Sequence, residues 1–184
     1  MLPCYVSGKG MYATYQTWLF KTTVISVLES SQLGFDTRYR YYRQQFPDTE
    51  PQQLARMVCD PIEYYDKDWP EYLANRDPHK SEAETIVDFV LIRDCQFQRE
   101  AEVAIYCYDE AGFGSGINTM RFINSAKPVL GFFNTSIREQ GVNIANILQL
   151  EVVYPHLVTL IEYQSITDIP DQVIAWLKLI SKHK

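Results

Sequence analysis

Apolar runs without polar alternation recur along the chain, and segments with helical spacing separate them. The runs VAIYCY (103–108), KPVLGFF (127–133) and LVTLIEY (157–163) are typical of strands that helices cover on both faces. VNIANILQL (142–150) and PDQVIAWLKLI (170–180) have the spacing of helices, and the second begins with a proline. Strands that alternate with helices predict a parallel sheet with helices on both faces.

The N-terminal residues fit the same alternation. LPCYVSG (2–8) predicts a short buried strand that runs into a glycine turn, and residues 11–31 predict a long helix. A chain of 184 residues with 46% hydrophobic residues buries one sizeable core and leaves no room for a second domain. We therefore expect a single domain over residues 1–184. Its predicted fold is α/β, a doubly wound, flavodoxin-like or Rossmann-like parallel sheet of five strands.

A capping-box pattern marks the start of another helix. In SEAE (81–84), Ser81 caps the backbone and the glutamate three residues later reaches back to it. The apolar stripe of this helix includes Val87, Val90 and Phe97, and Asp94 falls on the same stripe. The pattern therefore predicts a carboxylate that points inward.

The region from about 35 to 77 is rich in aromatic residues. It contains DTRYRYYRQQFPDTEP and YYDKDWPEYLANRDP, with prolines that interrupt regular structure. Such composition is unlike a disordered spacer, so we interpret the region as an insertion in the domain. Its tyrosines and arginines either pack against the same domain or cover a ligand or a partner subunit.

Composition excludes several classes of partner. Seventeen basic and twenty-three acidic residues give a net charge of −6, which disfavours duplex DNA. No apolar stretch approaches the roughly 20 residues that cross a bilayer, and the N-terminus has no secretory pattern, so we expect no membrane association and a cytoplasmic protein. The four cysteines form no close pair, and no spacing of ligands predicts a metal or another cofactor.

The glycine-rich segment YDEAGFGSGIN (108–118) directly follows a predicted strand. Ligands of open parallel sheets bind beyond the carboxyl ends of the strands, where 5–9 and 109–118 should meet. Glycines let a ligand approach the backbone, although they also serve plain tight turns. The segment satisfies neither the dinucleotide-binding pattern, nor the Walker loop, nor the hydrolase nucleophile elbow.

The stretch RDCQFQREAEVAIYCYDEAGFGSGINTMRFINSAKPVLGFF resembles the core of the nucleoside 2-deoxyribosyltransferases and the related nucleotide N-glycosidases. That core contains an aspartate, a strand, an aspartate-containing loop, a Gly-Thr-x-x-Glu motif and a helix that ends in Lys-Pro-Val. The opening CYVSG is similar to the first strand of the family, which ends in a tyrosine and a glycine turn. Together these segments cover about a quarter of the chain.

The resemblance implies a role for several residues. Asp94 matches the carboxylate that holds the sugar hydroxyl and orients the nucleophile, and Tyr5 matches the tyrosine beside that nucleophile. Asp109 matches the loop acid that faces the base, while Asn118 occupies the position of the glutamate nucleophile. The candidate catalytic residues are Asp94, Asn118 and Glu110, and the candidate substrate-binding residues are Tyr5, Gly8, Lys9, Asp109, Gly114, Ser115 and Gly116.

Asparagine at position 118 leaves two functions open. An amide cannot form the glycosyl ester of the family, so Asp109 or Glu110 would have to activate water for a nucleoside 2-deoxyribosyltransferase-like or N-glycosidase activity. The alternative is a catalytically inactive protein that binds a nucleoside or nucleotide as a sensor or scaffold. Any 5′-phosphate would be held by loop amides, Ser115, Ser7 or Lys9. The family also implies a homo-oligomer, a dimer or larger.

Overall fold

The computed structural model describes residues 1–9, 13–59, 69–136 and 144–182. Its strands are β1 (Leu2–Ser7), β2 (Gly34–Asp36), β3 (Val103–Cys107), β4 (Val129–Phe133) and β5 (Val158–Glu162). Its helices are α1 (Tyr15–Ser31), α2 (Thr37–Gln45), α3 (Pro51–Cys59), α4 (Trp69–Ala74), α5 (Glu82–Glu100), α6 (Phe113–Asn124), α7 (Ile144–Val153) and α8 (Ile169–Ser181). A short 3₁₀ turn, Ile166–Asp168, precedes α8.

The strands form one sheet in the order β2-β1-β3-β4-β5, and every neighbouring pair is parallel. This confirms the predicted doubly wound α/β fold with five parallel strands. The direction of winding reverses between β1 and β3, so the loops after these two strands diverge at their carboxyl ends. Such a switch point is the usual place of a ligand in an open α/β sheet.

The two faces of the sheet have separate cores. Cys4 and Val6 of β1 pack into a cluster that includes Phe20 of α1 and Trp176 of α8. Tyr5, which points to the opposite face, packs into a second cluster with residues of α5, α6 and α7. All residues of β3 and β4 are buried, which explains why their sequences show no polar alternation.

The aromatic region from 35 to 77 contributes to the body of the domain. It begins within the edge strand β2 and contains α2, α3 and α4, whereas the sequence indicated only an insertion. Tyr39 and Tyr42 are buried in the core, and Trp69 packs edge-on against Phe89 of α5 at 5.3 Å between ring centroids. For these residues, the interpretation as packing within the domain is confirmed.

Helix α5 begins where the capping box predicts. The Ser81 hydroxyl accepts a hydrogen bond from the Glu84 amide, and the Glu84 carboxylate accepts one from the Ser81 amide. The predicted stripe is partly wrong, because Val87 is 55% exposed and the buried aromatic of this turn is Phe89. Phe97 is buried as predicted.

At its other end, α5 is held by Lys127 in the turn before β4. The Lys127 ammonium donates to the carbonyls of Gln98 at 3.0 Å, Arg99 at 2.9 Å and Ala101 at 2.5 Å. Gln98 and Arg99 belong to the last turn of α5 and Ala101 is its C-cap residue, where a cation also offsets the negative end of the helix dipole. The ammonium therefore ties the helix that carries Asp94 to the sheet.

Helix α6 starts four residues earlier than the sequence indicated. The prediction placed its start near Ile117, but the helix begins at Phe113 with Gly112 as the N-cap residue in an extended conformation. Gly114 and Gly116 adopt helical conformations in the first turn, so two of the three glycines belong to the helix. One face of the helix is buried, and it includes Ser115, Thr119, Phe122 and Ile123.

Two predicted helix starts, at 11 and 142, lie outside the described residues. The described parts of these helices, α1 and α7, agree with the predictions. None of the helices in the described ranges is both long enough and apolar enough to cross a membrane.

Candidate functional site

Three side chains from separate elements meet in one hydrogen-bonded cluster on the α5 and α6 face of the sheet. The Tyr5 hydroxyl of β1 donates to Asp94 Oδ1 of α5 at 2.5 Å. The Asn118 amide nitrogen of α6 donates to Asp94 Oδ2 at 3.3 Å. The structure thus brings together three of the residues selected from sequence, which are 24 to 113 positions apart in the chain.

Two further residues complete this cluster, and sequence reasoning missed both. The Gln98 amide nitrogen donates to Asp94 Oδ2 at 2.6 Å and lies 3.4 Å from the Tyr5 hydroxyl. Arg121 donates to Asn118 Oδ1 at 3.0 Å and to Gln98 Oε1 at 3.5 Å. Gln98 is four residues after Asp94 and Arg121 three after Asn118, so helical spacing was the signal that could have found them.

The environment of Tyr5 keeps its hydroxyl protonated. Tyr5 is 1% exposed, and its ring stacks on Phe122 with centroids 5.6 Å apart. Burial, followed by the nearby Asp94 carboxylate, raises the pKa of Tyr5, although the Arg38 guanidinium 4.6 Å from the ring centroid opposes this effect. Tyr5 is therefore a hydrogen-bond donor to Asp94 at all physiological pH values.

Glu110 lies in the loop after β3, apart from this cluster, and contacts the start of α1. Its carboxylate accepts hydrogen bonds from the Thr14 amide at 2.9 Å, the Thr14 hydroxyl at 2.8 Å and the Thr17 hydroxyl at 2.5 Å. Lys9 lies 3.4 Å from its other oxygen. Burial opposes ionisation of Glu110, but the bonds from Thr17, Thr14 and Lys9 outweigh it and lower the pKa of the carboxyl.

These contacts bear directly on the role of Glu110 as a candidate general base. A carboxylate with a lowered pKa and satisfied oxygens is a poor acceptor for a proton from water. The partners of Glu110 differ from those of Asp94, so the two carboxylates do not form a catalytic pair in this structure. Lys9, a candidate ligand-binding residue, is likewise engaged with Glu110.

Asp109 is also held by backbone and side-chain groups of the sheet. It is 4% exposed, and its carboxylate accepts hydrogen bonds from the Asn134 amide at 2.8 Å and from the Tyr163 hydroxyl. Burial raises the pKa of Asp109, while the Tyr163 and Asn134 bonds oppose the rise. The loop acid therefore joins the carboxyl ends of β3, β4 and β5, with its two oxygens directed into the protein.

The remaining candidates form the two loops at the carboxyl edge. A side chain at Gly8 would lie 3.2 Å from Cys107 and Thr17, so this glycine permits close packing of the β1 loop on β3. By contrast, Cβ atoms built at Gly112, Gly114 and Gly116 would meet nothing within 4 Å. Contacts of the described residues therefore give no steric reason for these three glycines.

Ser115 and Phe113 share the glycine turn but have opposite environments. Ser115 is 8% exposed and its carbonyl accepts the Thr119 hydroxyl at 2.9 Å, so it packs toward the sheet. Phe113 is 87% exposed. Of the candidate phosphate contacts, Ser115 is thus directed inward, while the glycines of the first turn of α6 have open space around them.

A groove of about 840 Å³ lies beside this turn, between α6 and α7. Its volume falls within the usual range for small-molecule sites, and its lining includes Gly112, Gly116, Ile117, Met120, Asn124 and Ile147. Tyr5, Asp94 and Asn118 lie outside this lining. The half-buried Asp94 carboxylate already accepts hydrogen bonds from Tyr5, Gln98 and Asn118, and the bond from Asn118 is the longest of the three.

Among the described residues, no group of three or more histidine, cysteine, aspartate or glutamate side chains is arranged to hold a metal ion. No model of a protein family matches the chain, and no curated protein matches it in sequence. Interpretation of the site therefore depends on its own geometry. That geometry offers one carboxylate, two amides, a guanidinium and a phenol hydroxyl, which are groups that bind sugar hydroxyls well but include no available second carboxylate.

Proposed function

We propose that the chain binds a nucleoside or nucleotide at the carboxyl edge of its sheet and does not form a glycosyl ester. The observation that carries this proposal is the meeting of Tyr5, Asp94 and Asn118 in one hydrogen-bonded cluster. The resemblance to deoxyribosyltransferases requires these three positions to lie together. An Asp94 carboxylate can accept hydrogen bonds from a sugar, and the Asn118 amide can both donate and accept.

The chemistry of the neighbouring groups favours binding without covalent catalysis. An un-ionised amide at position 118 is a very weak nucleophile, so the glycosyl ester of the family has no acceptor there. Glu110 and Asp109, which would have to replace that nucleophile or activate water, are both occupied by protein groups. The open glycine turn supports a ligand close to the backbone of α6.

A calorimetric titration tests the binding. The ligands are the four common 2′-deoxynucleosides and their 5′-monophosphates, and we expect at least one to bind at or below millimolar concentration. Asp94→Asn should raise its Kd at least tenfold, because the amide cannot replace a charged acceptor. Asp88→Asn, a change on an exposed part of the same helix, serves as the control. Absence of binding across the whole panel would refute the proposal.

A second candidate is hydrolysis of the N-glycosidic bond, which the retained Asp94 carboxylate favours. In such a reaction, water attacks the anomeric carbon, its proton passes to Asp94, and the base leaves with the bonding electron pair and is protonated by solvent. Chromatography of a deoxynucleoside incubated with the protein and a different free base distinguishes the functions. Released base would support hydrolysis, and exchanged base would support transfer.

Asn118→Glu tests whether the site retains the geometry of a transferase. This variant restores the carboxylate that the family uses as nucleophile, in the same helix and beside the same aspartate. Exchange of bases by the variant, with none by the unmodified protein, is the expected result if binding is the present function. Loss of this exchange in the double variant with Asp94→Ala would assign it to the cluster.

A homo-oligomer, dimeric or larger, is part of the proposal. Its support is the large exposed apolar side chains near α6 and α7, such as Phe113 at 87% and Val152 at 79% exposed. Light scattering measures the mass directly. The free thiols of Cys95 and Cys107 support a reducing compartment such as the cytoplasm.

A further inference from the structure

Three tyrosines lie side by side on the α5 and α6 face of the sheet, one on β1 and two at the end of β3. Tyr5 pairs in register with Ala104, and Ser7 pairs with Tyr106. Tyr106 is therefore two residues nearer to the carboxyl edge than the level of Tyr5. Its ring lies 6.3 Å from that of Tyr5 and stacks on that of Tyr108 at 5.5 Å, with planes 5° apart.

The hydroxyls of these tyrosines differ in their partners. Tyr5 donates to Asp94, and the Tyr108 hydroxyl lies 2.9 Å from the Thr119 hydroxyl of α6. The hydroxyl of Tyr106, between them, is buried and has no hydrogen-bond partner among the described residues. Burial and then the neighbouring Tyr5, Tyr108 and Asp94 raise the pKa of Tyr106, so the hydroxyl keeps its proton close to the Asp94 carboxylate.

An unbonded buried hydroxyl destabilises a fold, and phenylalanine would fill the same space without that cost. Departures from good packing chemistry of this kind are expected at functional sites, where the ligand supplies the missing partner. The position of Tyr106 agrees with such a role. Tyr106 lies beside Tyr5, which is bonded to Asp94, and it is nearer than Tyr5 to the edge of the sheet where ligands bind.

We propose that the Tyr106 hydroxyl binds a sugar oxygen of the nucleoside or nucleotide. This inference depends on the proposed function and adds a contact that the family resemblance does not imply. The bond from Asn118 is the longest one to the Asp94 carboxylate, at 3.3 Å against 2.5 and 2.6 Å. A ligand that displaces Asn118 from Asp94 reaches both the carboxylate and the free hydroxyl.

Tyr106→Phe tests this role through two measurements, with Tyr108→Phe as the matched control. For Tyr106→Phe we expect a Kd for the bound deoxynucleoside or monophosphate raised about fivefold or more. Its Tm without ligand should stay the same or rise by about 2–4 °C, because an unbonded polar group is removed. Tyr108→Phe loses a bond to Thr119 and should lower the Tm, which is the opposite of the effect expected for Tyr106→Phe.

The outcomes separate this inference from the proposed function. If the unmodified protein binds and Tyr106→Phe binds equally well, the role of Tyr106 is refuted and the proposed function stands. A clear fall in the Tm of Tyr106→Phe would also refute it, since the hydroxyl would then have a structural partner such as a buried water. If the unmodified protein binds no member of the panel, both proposals fail.

Discussion

Replacement of Glu110 tests whether its carboxylate stabilises the fold or acts in catalysis. Its carboxylate is 6% exposed and accepts three hydrogen bonds from Thr14 and Thr17 at the start of α1, with Lys9 nearby. In Glu110→Gln the charge is lost, and an amide oxygen that keeps the bonds from Thr14 and Thr17 leaves the NH₂ group beside the Lys9 ammonium. The substitution thus turns three bonds to a charged group into bonds to a neutral one and places an amide donor against a cation.

The expected cost follows from these contacts. A bond to a charged group contributes about 1.5–3 kcal/mol, and an anion at a helix N-terminus adds up to about 2 kcal/mol when partly buried. Such contributions are not additive, and the glutamine retains part of the network, so we expect a loss of about 3 kcal/mol. For a chain of this length, that loss lowers the Tm by roughly 6–12 °C.

The pH dependence provides an independent check of Glu110. Its folded pKa is lowered, so its stabilisation is complete above the unfolded value near 4.5 and is lost as the pH falls through the folded pKa. Urea denaturation of the unmodified protein and Glu110→Gln should therefore differ most near neutral pH and converge in acid. Glu100→Gln, at an exposed site on α5, should change stability by less than about 0.5 kcal/mol.

The opposite result would contradict this assignment of Glu110. If Glu110→Gln unfolds at the same urea concentration as the unmodified protein but abolishes release of base from a nucleoside, Glu110 is a catalytic base. Its contacts with α1 would then be incidental to the fold, and the hydrolase candidate would replace simple binding as the better function.

Three further substitutions test other parts of the structure, each by chemical denaturation. Lys127→Met should cost about 2 kcal/mol, because the ammonium bonds three carbonyls at the end of α5, whereas Lys178→Met on an exposed face should be nearly neutral. Gly131→Ala should cost about 1–3 kcal/mol, because its Cβ would lie 2.3 Å from a buried tyrosine ring, and Gly114→Ala, with open space around it, should be neutral or stabilising. Asp109→Asn should flatten the pH dependence. Because the folded pKa of Asp109 is raised, the unmodified protein loses stability as the pH rises from the unfolded value near 3.8 to the folded pKa, and the amide has no such titration.

The sequence predicted the main elements of the sheet because their signals are local. Uniform apolar runs identified β3, β4 and β5, and the pattern at Ser81 located the start of α5. The edge strand β2 has three residues, Gly34–Asp36, and three residues are too few to show a periodicity. The start of α6 was misplaced because glycine usually marks a turn, whereas here an N-cap glycine is followed by glycines inside the helix.

The candidate site also has one part that the sequence predicted and another part that it did not. We could expect Tyr5, Asp94 and Asn118 to meet, because the sequence indicated the strands and helices that carry them. The partners of Asp109 and Glu110 could not be predicted in this way, since they depend on loop contacts with Asn134 and with α1. Gln98 and Arg121 could have been predicted from helical spacing once Asp94 and Asn118 had been selected.

Asparagine at position 118 also resolves an electrostatic conflict within the cluster. A glutamate there would put a second carboxylate near Asp94, and like charges close together disfavour ionisation of both. The amide instead donates to Asp94 and accepts from Arg121, so it links an anion to a cation and leaves its own oxygen and nitrogen bonded. The same feature makes Asn118 a very weak nucleophile, because its electron pair is delocalised in the amide and its oxygen faces Arg121. Any reaction at this site must therefore centre on Asp94, and any ligand must offer hydrogen bonds strong enough to replace those of Asn118.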